Sequence, residues 1–311
     1  MATALILGAT GGIGHEVASA LHRHGWQINA LHRDPSRVAR AGIQWLKGDA
    51  MNAADVTKAA EGASVIVHAV NPPGYRNWGQ LVIPMIESSI AAARTHGARV
   101  LLPGTIYNYG PDAFPTLREN SPQQPLTRKG GIRVELERRL QDSGVRALIV
   151  RAGDFFGPNA GNNWFSQGLV KPGRPVTSIT YPGRPGVGHA WAYLPDLAET
   201  MAQLLDREST AGVFERFHFE GQWDSDGTRM IRAIARVVGS SNIPVRAFPW
   251  ALLTLLAPFK TLFREMREMR YLWQEPLRLD NRHLLAALGA EPRTPLDQAV
   301  RATLQGLKCL T

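Results

Sequence analysis

The chain has 311 residues, 44% of them hydrophobic and 20% charged, and it carries a formal net charge of +9 at pH 7. These proportions are typical of a globular protein, and no stretch is long and apolar enough to cross a membrane. The single cysteine, Cys309, excludes an intrachain disulfide and fits a reducing compartment. Because Met1 to Thr3 run directly into the first strand, we expect no signal peptide and predict a cytoplasmic protein.

The positive charge comes from 29 arginines against 6 lysines. Arginine suits phosphate and carboxylate groups, so the excess fits an anionic ligand such as a phosphorylated cofactor. A nucleic acid is the other anion that basic proteins bind, but the basic residues are scattered and form no recognisable motif. We therefore predict no nucleic-acid partner, and we interpret most arginines as solvated surface. We also predict no metal site.

Strands and helices alternate in the first half of the chain, as the spacing of its apolar residues indicates. The predicted strands are Thr3–Leu7, Gln27–Leu31, Ile43–Leu46, Ser64–His68, Arg99–Leu102 and Val145–Val150. Long helices are predicted at Gly79–His96 and Ile132–Gln141. This alternation is typical of a doubly wound parallel α/β sheet, in which ligands bind where the strands end.

A glycine-rich turn, Gly8-Ala9-Thr10-Gly11-Gly12-Ile13-Gly14, joins the first strand to a helix on which Val17, Ala18 and Leu21 recur. In dinucleotide-binding turns, successive glycines allow a tight turn, close approach of the backbone to a pyrophosphate, and packing of helix on strand. The first helical N–H groups then point at the phosphate. We predict cofactor contacts at Gly8, Thr10, Gly11, Gly12 and Ile13. A glycine-rich turn without a ligand is the alternative, which the strand and helix around it disfavour.

Two side chains after the next strands bear on which cofactor binds. Arg33 stands at the end of the second strand, where arginine favours the 2′-phosphate of NADP, whereas a carboxylate such as the neighbouring Asp34 would favour NAD. We predict NADP, with NAD as the alternative. Asp49, after the third strand, is expected either to contact the adenine amine or to cap the next helix near Ala53.

After Val150 the pattern loosens, and Gly153–Gly188 is rich in glycine and proline, which predicts a substrate lid over the strand ends. Trp250, Leu253, Leu256 and Phe259 then share one helical face. We interpret this face as the core of a small second domain rather than a membrane-surface helix, and predict no membrane partner. The predicted domains are a dinucleotide-binding domain at 1–155, to which about 189–220 returns, and a lid with a mainly helical C-terminal substrate domain at 156–188 and 221–311.

These motifs together resemble the extended or atypical short-chain dehydrogenases/reductases of the NAD(P)-dependent epimerase/dehydratase family. The family fingerprint Thr-Gly-x-x-Gly-x-x-Gly is matched from Gly8 to Gly14, with Leu7 in place of Thr. Further matches are Asp49, Thr105 before Tyr109-Gly110, the segment 151–158 and the segment 193–198. The resemblance implies additional cofactor contacts at Ala69, Thr105 and Phe155, and a homodimer paired through the two long helices.

The chain departs from this family at its catalytic pair, Tyr-x-x-x-Lys, which occurs nowhere in the sequence. In the family, the Lys ammonium lowers the pKa of the Tyr, so that the phenol exchanges a proton with the substrate. Aligning Glu135 with the family's Glu places Thr127 at the Tyr position and Gly131 at the Lys position. Lys129 and Arg133 are then each two residues from the Lys position, and we expect them to point elsewhere on the helix.

Three interpretations follow. In the first, which we favour, the protein is an enzyme with a relocated acid on a small carbonyl, hydroxyl or sugar-like substrate. The candidate catalytic residues are Thr105, Tyr107 and Tyr109, and His189 could donate a proton from the lid. We favour the enzyme interpretation because four aromatic residues are expected to form a substrate pocket. These residues are Trp164, Phe165, Tyr181 and Trp191. The alternatives without a catalytic role are that Tyr107 and Tyr109 pack under the loop and that His189 is a loop histidine bonded to the backbone.

In the second interpretation the protein binds NADP(H) but does little chemistry and is similar to the nitrogen-regulator type of redox sensor. Retention of the glycines and loss of both catalytic positions suit that role. In the third, which we rank last, the basic surface binds a nucleic acid or a membrane and the fold is only a scaffold.

Overall fold

The computed structural model describes residues 1–72, 77–161, 163–207, 212–240, 242–258 and 261–310, so that Phe259 lies outside the described residues. Its contacts divide the chain into two compact units. The first comprises Met1–Asn108, Arg128–Arg151 and Ala198–Phe217, and the second comprises Tyr109–Thr127, Ala152–Leu197 and His218–Thr311. Compact units are not by themselves functional domains, and the domain boundaries drawn from the sequence stay a prediction.

Every element predicted from the sequence overlaps a strand or helix of the structure. The strands are β1 (Thr3–Leu7), β2 (Gln27–His32), β3 (Ile43–Lys47), β4 (Val65–His68), β5 (Arg99–Thr105), β6 (Thr116–Leu117), β7 (Ala147–Ala152), β8 (Asp154–Phe156), β9 (Ile179–Tyr181), β10 (His189–Tyr193), β11 (Phe214–His218), β12 (Gln222–Asp224), β13 (Val245–Ala247) and β14 (Arg278–Leu279). The helices are α1 (Gly12–Arg23), α2 (Ala53–Ala59), α3 (Trp78–His96), α4 (Arg128–Asp142), α5 (Leu194–Asp206), α6 (Arg229–Val237), α7 (Trp250–Leu256), α8 (Thr261–Glu268), α9 (Arg282–Leu288) and α10 (Leu296–Gly306).

The first unit is built on one seven-stranded sheet with the order β11-β7-β5-β4-β1-β2-β3. β1 lies parallel to both β2 and β4, and the parallel pairs β2–β3 and β4–β5 extend the sheet on either side. Residues 4–7 of β1 and 65–67 of β4 are buried, as in parallel sheets with both faces covered. The predicted doubly wound fold is confirmed, and the strand order reverses between β1 and β4, where such sheets bind ligands.

β5 continues past its predicted end at Leu102 as far as Thr105. Close packing explains the extension, because a Cβ at Gly104 would lie 2.9 Å from Ile149 Cγ2 on β7. The strand therefore delivers Thr105 to the carboxyl edge of the sheet.

α4 begins at Arg128, ahead of its predicted start at Ile132. Gly130 and Gly131, of a residue type that weakens isolated helices, precede the predicted start. In the structure both glycines lie inside the helix. The cationic residues before them, Arg128 and Lys129, therefore belong to the first turn of α4 and not to a preceding loop.

The second unit contains three small sheets, with strand orders β12-β10-β8, β13-β9 and β14-β6, together with helices α6 to α10. The predicted loop-rich lid, Gly153–Gly188, contains β8, β9 and a π-helical turn at Phe165–Leu169. The short strands in this segment were not predicted from the sequence, since β8 pairs with β10 and β9 with the distant β13. Such long-range pairing leaves little signal in local sequence.

α7 packs by part of its surface. The Trp250 indole N–H donates to the Pro182 carbonyl oxygen at 2.8 Å, and Leu253 is buried. Leu252 and Leu255 on the same helix are exposed. Among the helices that the structure describes, none has the length and apolar character needed to cross a bilayer.

A charge cluster links the end of α1 to α5 in the first unit. His24 Nε2 lies 2.8 Å from Glu199 Oε1, and His24 Nδ1 contacts the Asp206 carboxylate. Desolvation lowers the pKa of His24, but the bonds to Asp206 and Glu199 outweigh it and raise the pKa above its ordinary value of 6.5. The folded protein therefore binds the His24 proton more tightly than the unfolded chain does.

This cluster predicts a pH-dependent stability. We expect protonated His24 to contribute about 0.5–1 kcal/mol, fully present below its ordinary pKa and lost as pH rises through the raised pKa. Urea unfolding at about pH 6 and about pH 8.5 measures the loss, which His24→Gln should abolish and His22→Gln, at an exposed position of α1, should leave intact. Identical pH dependence in wild type and His24→Gln would contradict the prediction.

Candidate functional site

The glycine-rich turn after β1 is closed by two glycines that no other residue could replace without movement. Gly8 has φ +92°, in the region that favours glycine, and a Cβ there would lie 2.6 Å from the Ala69 carbonyl oxygen. A Cβ at Gly14 would lie 2.2 Å from the Gly8 carbonyl oxygen. The turn, the start of α1 and the end of β4 are thus held in close contact.

Gly11 is different, because its face is open. A Cβ there would meet, beyond its chain neighbours and among the described residues, only the Gly8 carbonyl oxygen at 3.4 Å. Gly11 is also the N-cap of α1 and, among the described residues, contributes no side-chain hydrogen bond to the first N–H groups, while the first turn carries no acidic residue. Uncapped N–H groups at a helix N-terminus attract anions. The open face and this terminus fit the diphosphate of a dinucleotide.

The predicted contacts in the first unit follow neighbouring parallel strands. Gly8 follows β1, Arg33 follows β2, Asp49 follows β3, Ala69 follows β4, and Thr105 ends β5. Because the carboxyl ends of parallel strands share one edge of a sheet, the structure brings these five residues to the same edge. In the turn itself Thr10 is exposed, while Gly12 and Ile13 are half-buried.

The turn after β2 leaves Arg33 exposed, with no side-chain bond or ion pair to any described residue. The neighbouring Asp34 is occupied within its own turn, where its carboxylate accepts from Ser36 Oγ at 2.5 Å and from Arg37 Nε at 2.9 Å. The cation at this strand end therefore faces solvent, while the carboxylate is neutralised by Arg37.

Asp49 does not cap α2. The cap is Asn52, whose side chain accepts from the N–H groups of Ala54 and Asp55. Asp49 Oδ1 instead accepts from Met51 N at 2.9 Å. The capping alternative for Asp49 is therefore wrong, since the helix starts later than a cap at that position would require.

A buried ion pair supports the end of β5. Arg151 Nη2 donates to Glu137 Oε2 at 2.7 Å, with side-chain exposures of only 1% and 2%. Arg151 also donates to the Thr105 carbonyl oxygen, and Glu137 Oε1 accepts from Asn108 Nδ2 at 3.0 Å. The turn that carries half-buried Tyr107 is thereby fixed from both ends.

Tyr109 lies in the second unit and is fully buried. Its phenol oxygen is 3.4 Å from His218 Nε2, and the other ring nitrogen of His218 lies 3.2 Å from the Leu117 carbonyl oxygen. The carbonyl fixes the His218 proton on Nδ1, so Nε2 accepts from Tyr109. For Tyr109, the geometry favours the packed alternative over a catalytic role.

His189 is in β10, not in a loop, and its bond goes to a carboxylate rather than to backbone. Its Nε2 lies 2.9 Å from Asp154 Oδ2, and its ring stacks on Trp273 at 3.7 Å between centres. With 3% exposure, His189 is an interior residue of the second unit. The expected loop position and backbone bond of His189 are wrong, because the pairing of β10 places the side chain inward, and its role as a proton donor stays a prediction. Phe155, in β8 of this unit, is half-buried.

The aromatic residues expected to form a substrate pocket pack against one another in the core of the second unit. Phe165 and Trp191 are fully buried, and Tyr181 is 7% exposed. Trp164 is half-buried and contacts Phe248, Trp250 and Trp273. These residues therefore do not line the expected substrate pocket but pack together as a cluster. Large aromatic rings bury much apolar surface when they pack against one another.

α4 turns a charged stripe inward. Lys129, Arg133 and Glu137 are buried at spacings of four, while Gly131 is exposed. Glu135 is on the outer face, where hydrogen bonds from Arg138 and Arg139 lower its pKa to about 2. The alignment on Glu135 therefore places the missing catalytic pair toward solvent, whereas Glu137 is the carboxylate that faces the sheet.

The inward cations lie beside Trp78 of α3. The Arg133 guanidinium is 5.3 Å from the centre of that ring, and Lys129 Nζ is 6.0 Å from it. Arg133 also donates to Asn71 Oδ1 at 3.1 Å, just beyond β4. Desolvation, together with the Arg133 charge, lowers the pKa of buried His68 to about 3, so that His68 is neutral at pH 7.

Glu137, Lys129, Arg133 and His68 are site residues that sequence reasoning missed or dismissed. For Lys129, Arg133 and Glu137 the available signal was their spacing of four along α4, whereas His68 is in β4. That signal was obscured because charged residues occupy every face of α4. Only burial distinguishes the inner stripe from the outer one.

Comparison with known proteins finds a relative that is named as a reductase. A 3-diazoavenalumate denitrifying reductase from Streptomyces sp is 31% identical over 175 residues, which cover 50% of this chain and 57% of that protein. The chain thus spans little more than half the length of that relative.

Solved structures share the fold at low sequence identity. UDP-glucose 4-epimerase from Bifidobacterium longum, in complex with NAD+ and UDP, matches with a TM-score of 0.74 and 14% identity over 99% of this chain and 97% of that one. UDP-glucuronic acid 4-epimerase from Bacillus cereus, in complex with NAD, matches with a TM-score of 0.74 and 15% identity over 98% and 96%. The resemblance to extended short-chain dehydrogenases/reductases is confirmed for the fold.

A family model described as NAD(P)H-binding matches residues 8–177, more than half of the chain, beginning at the first glycine of the turn. The geometry at Gly8, Gly11 and Gly14 and this match agree: the chain belongs to the NAD(P)H-binding family.

Proposed function

We propose that the protein is an NADP(H)-dependent oxidoreductase that works as a reductase on a small organic substrate. The observation that carries the proposal is the open face at Gly11 against the uncapped N-terminus of α1. The 31% identical relative, itself named as a reductase, supports reduction as the reaction. The epimerases share only the fold and do not argue for epimerisation.

Each residue of the sheet edge has a proposed role. The turn from Gly8 to Ile13 holds the diphosphate, Arg33 the 2′-phosphate and Asp49 the adenine amine. Contacts nearer the nicotinamide are proposed at Ala69, Thr105 and Phe155. When bound, the reduced nicotinamide supplies hydride. The buried Glu137–Arg151 pair keeps Thr105 and Tyr107 in place during this transfer.

Arg33→Asp tests the preference for NADP. A hydrogen-bonded charge is worth about 1.5–3 kcal/mol, so NADPH affinity should fall about 10- to 100-fold while NADH affinity changes little. Fluorescence titration with both cofactors measures the effect, and Arg301→Asp, at an exposed position of α10, is the control. Equal losses for NADPH and NADH would discard the assignment of the 2′-phosphate to Arg33.

A carbonyl compound is the substrate class that the resemblance favours. A second candidate is an aromatic diazo compound, which the named relative suggests. If that compound reacts as its diazonium ion, hydride would form a C–H bond to the carbon that bears N₂, the C–N bonding pair would leave with N₂, and the enzyme would give no proton. The absence of Tyr-x-x-x-Lys from the sequence is compatible with such chemistry.

NADPH consumption with aldehydes, ketones, nucleotide sugars and an aromatic diazo compound tests the proposal. Turnover of any of these acceptors supports a reductase, and N₂ release identifies the diazo reaction. Tight NADPH binding without turnover of any acceptor would favour the redox-sensor interpretation instead. A small molecule is the partner that we propose, and the homodimer stays a prediction.

A further inference from the structure

We propose that Lys129 is the proton donor in carbonyl reduction and that Arg133 is the cation that assists it. This inference rests on the proposed reductase function. The two residues would stand where the Tyr and Lys of the similar family stand, once the helix is aligned by its buried carboxylate.

The alignment follows from burial. Glu137 faces the sheet and binds Arg151, whereas Glu135 is on the outer face among arginines. Taking Glu137 as the family's Glu moves the catalytic positions by two residues, from Thr127 and Gly131 to Lys129 and Arg133. The new pair keeps the four-residue spacing that puts two side chains on one helical face.

Arg133 lies at the ligand-binding edge of the sheet, and Lys129 precedes it by one helical turn. Arg133 reaches Asn71, which follows β4 and lies two residues after Ala69, the residue packed against Gly8. Lys129 is 3% exposed and Arg133 6% exposed, so both cations lie inside the first unit rather than in solvent. Gly131, on the outer face, has no side chain that could act as the cation of the catalytic pair.

A lysine can replace a tyrosine as an acid because the two groups are of similar strength. Their ordinary pKa values are about 10.4 for an ammonium and about 10 for a phenol. Arg133 places a second positive charge on the same buried face of α4, one helical turn after Lys129. Arg133 would thus stand to Lys129 as the lysine stands to the tyrosine in the family.

The reduction of the carbonyl conserves atoms and electrons. Hydride from NADPH forms a C–H bond to the carbonyl carbon, and the C=O π pair moves to oxygen. That oxygen takes a proton from Lys129 Nζ, leaving an alcohol, NADP+ and a neutral amine that solvent reprotonates. The carbonyl is reduced and the nicotinamide is oxidised.

Lys129→Met is the first test, on a carbonyl substrate that wild type reduces. Loss of a general acid should lower kcat by about 100-fold or more, while the dissociation constant for NADPH stays unchanged. Lys58→Met, at an exposed position of α2, is the control and should leave both values unchanged.

The double variant Lys129→Tyr with Arg133→Lys is the second test, because it restores Tyr-x-x-x-Lys at the new positions. We expect it to recover most of the turnover that Lys129→Met loses. Loss of turnover in Tyr107→Phe with retention in Lys129→Met would overturn the proposal, as would loss of NADPH binding in Lys129→Met. Wild type that binds NADPH but reduces no carbonyl would instead overturn the reductase function on which the proposal depends.

Discussion

Glu137→Gln is expected to lower the free energy of unfolding by about 3–5 kcal/mol, because it leaves the charge of Arg151 buried without its partner. The pair is 1% and 2% exposed, so that water cannot replace the lost carboxylate. The substitution keeps the shape of the side chain and removes only its charge. Urea unfolding at pH 7 measures the change.

Glu135→Gln is the matched control for this prediction. Glu135 lies two residues away on the same helix and contacts Arg138 and Arg139 on the outer face. Exposed ion pairs contribute about 0–1 kcal/mol, so this change should be small. Comparable losses in the two variants would show that Glu137 and Arg151 do not form the buried pair on which the realignment of α4 depends.

Gly14→Ala is expected to abolish most cofactor binding. The new Cβ would lie 2.2 Å from the Gly8 carbonyl oxygen, so the turn must move away from α1. Displacing a binding loop by about 1 Å can cost about 100-fold, and overpacking should cost about 1–3 kcal/mol of stability. Fluorescence titration with NADPH and thermal unfolding measure the two effects.

Gly131→Ala is the matched control for Gly14→Ala. It shows whether the loss of cofactor binding comes from the steric clash of the new Cβ or from replacing a glycine as such. A Cβ at Gly131 meets nothing within 4 Å among the described residues, and the position is inside α4. Alanine should therefore stabilise the helix by about 0.5–1 kcal/mol and leave NADPH binding intact. Unchanged NADPH affinity in Gly14→Ala would contradict the role of the turn.

The fold and the cofactor end of the site could be predicted from sequence because their signals are local. A side chain at Gly14 would meet the Gly8 carbonyl oxygen only six residues earlier in the chain, and strand-helix alternation specifies a parallel sheet. Arg33 follows from its place at a strand end. Because the strands are parallel, their carboxyl ends lie at the same edge of the sheet, and no further sequence signal is needed to bring these residues together.

The inward stripe of α4 and the core of the second unit could not be predicted in this way. Periodicity shows that Lys129, Arg133 and Glu137 share a face, but it cannot say which face is buried when Glu135 and the arginines offer an equally charged alternative. His189 and Tyr109 became interior residues through partners far away in the chain, Asp154 and His218.

The sequence by itself determined that this protein has a dinucleotide turn on a doubly wound sheet and that Tyr-x-x-x-Lys is missing. Only the tertiary structure decided which polar groups are buried. The physical reason is that burying a charge requires a partner, and Glu137 meets Arg151 only after α4 has packed on the sheet.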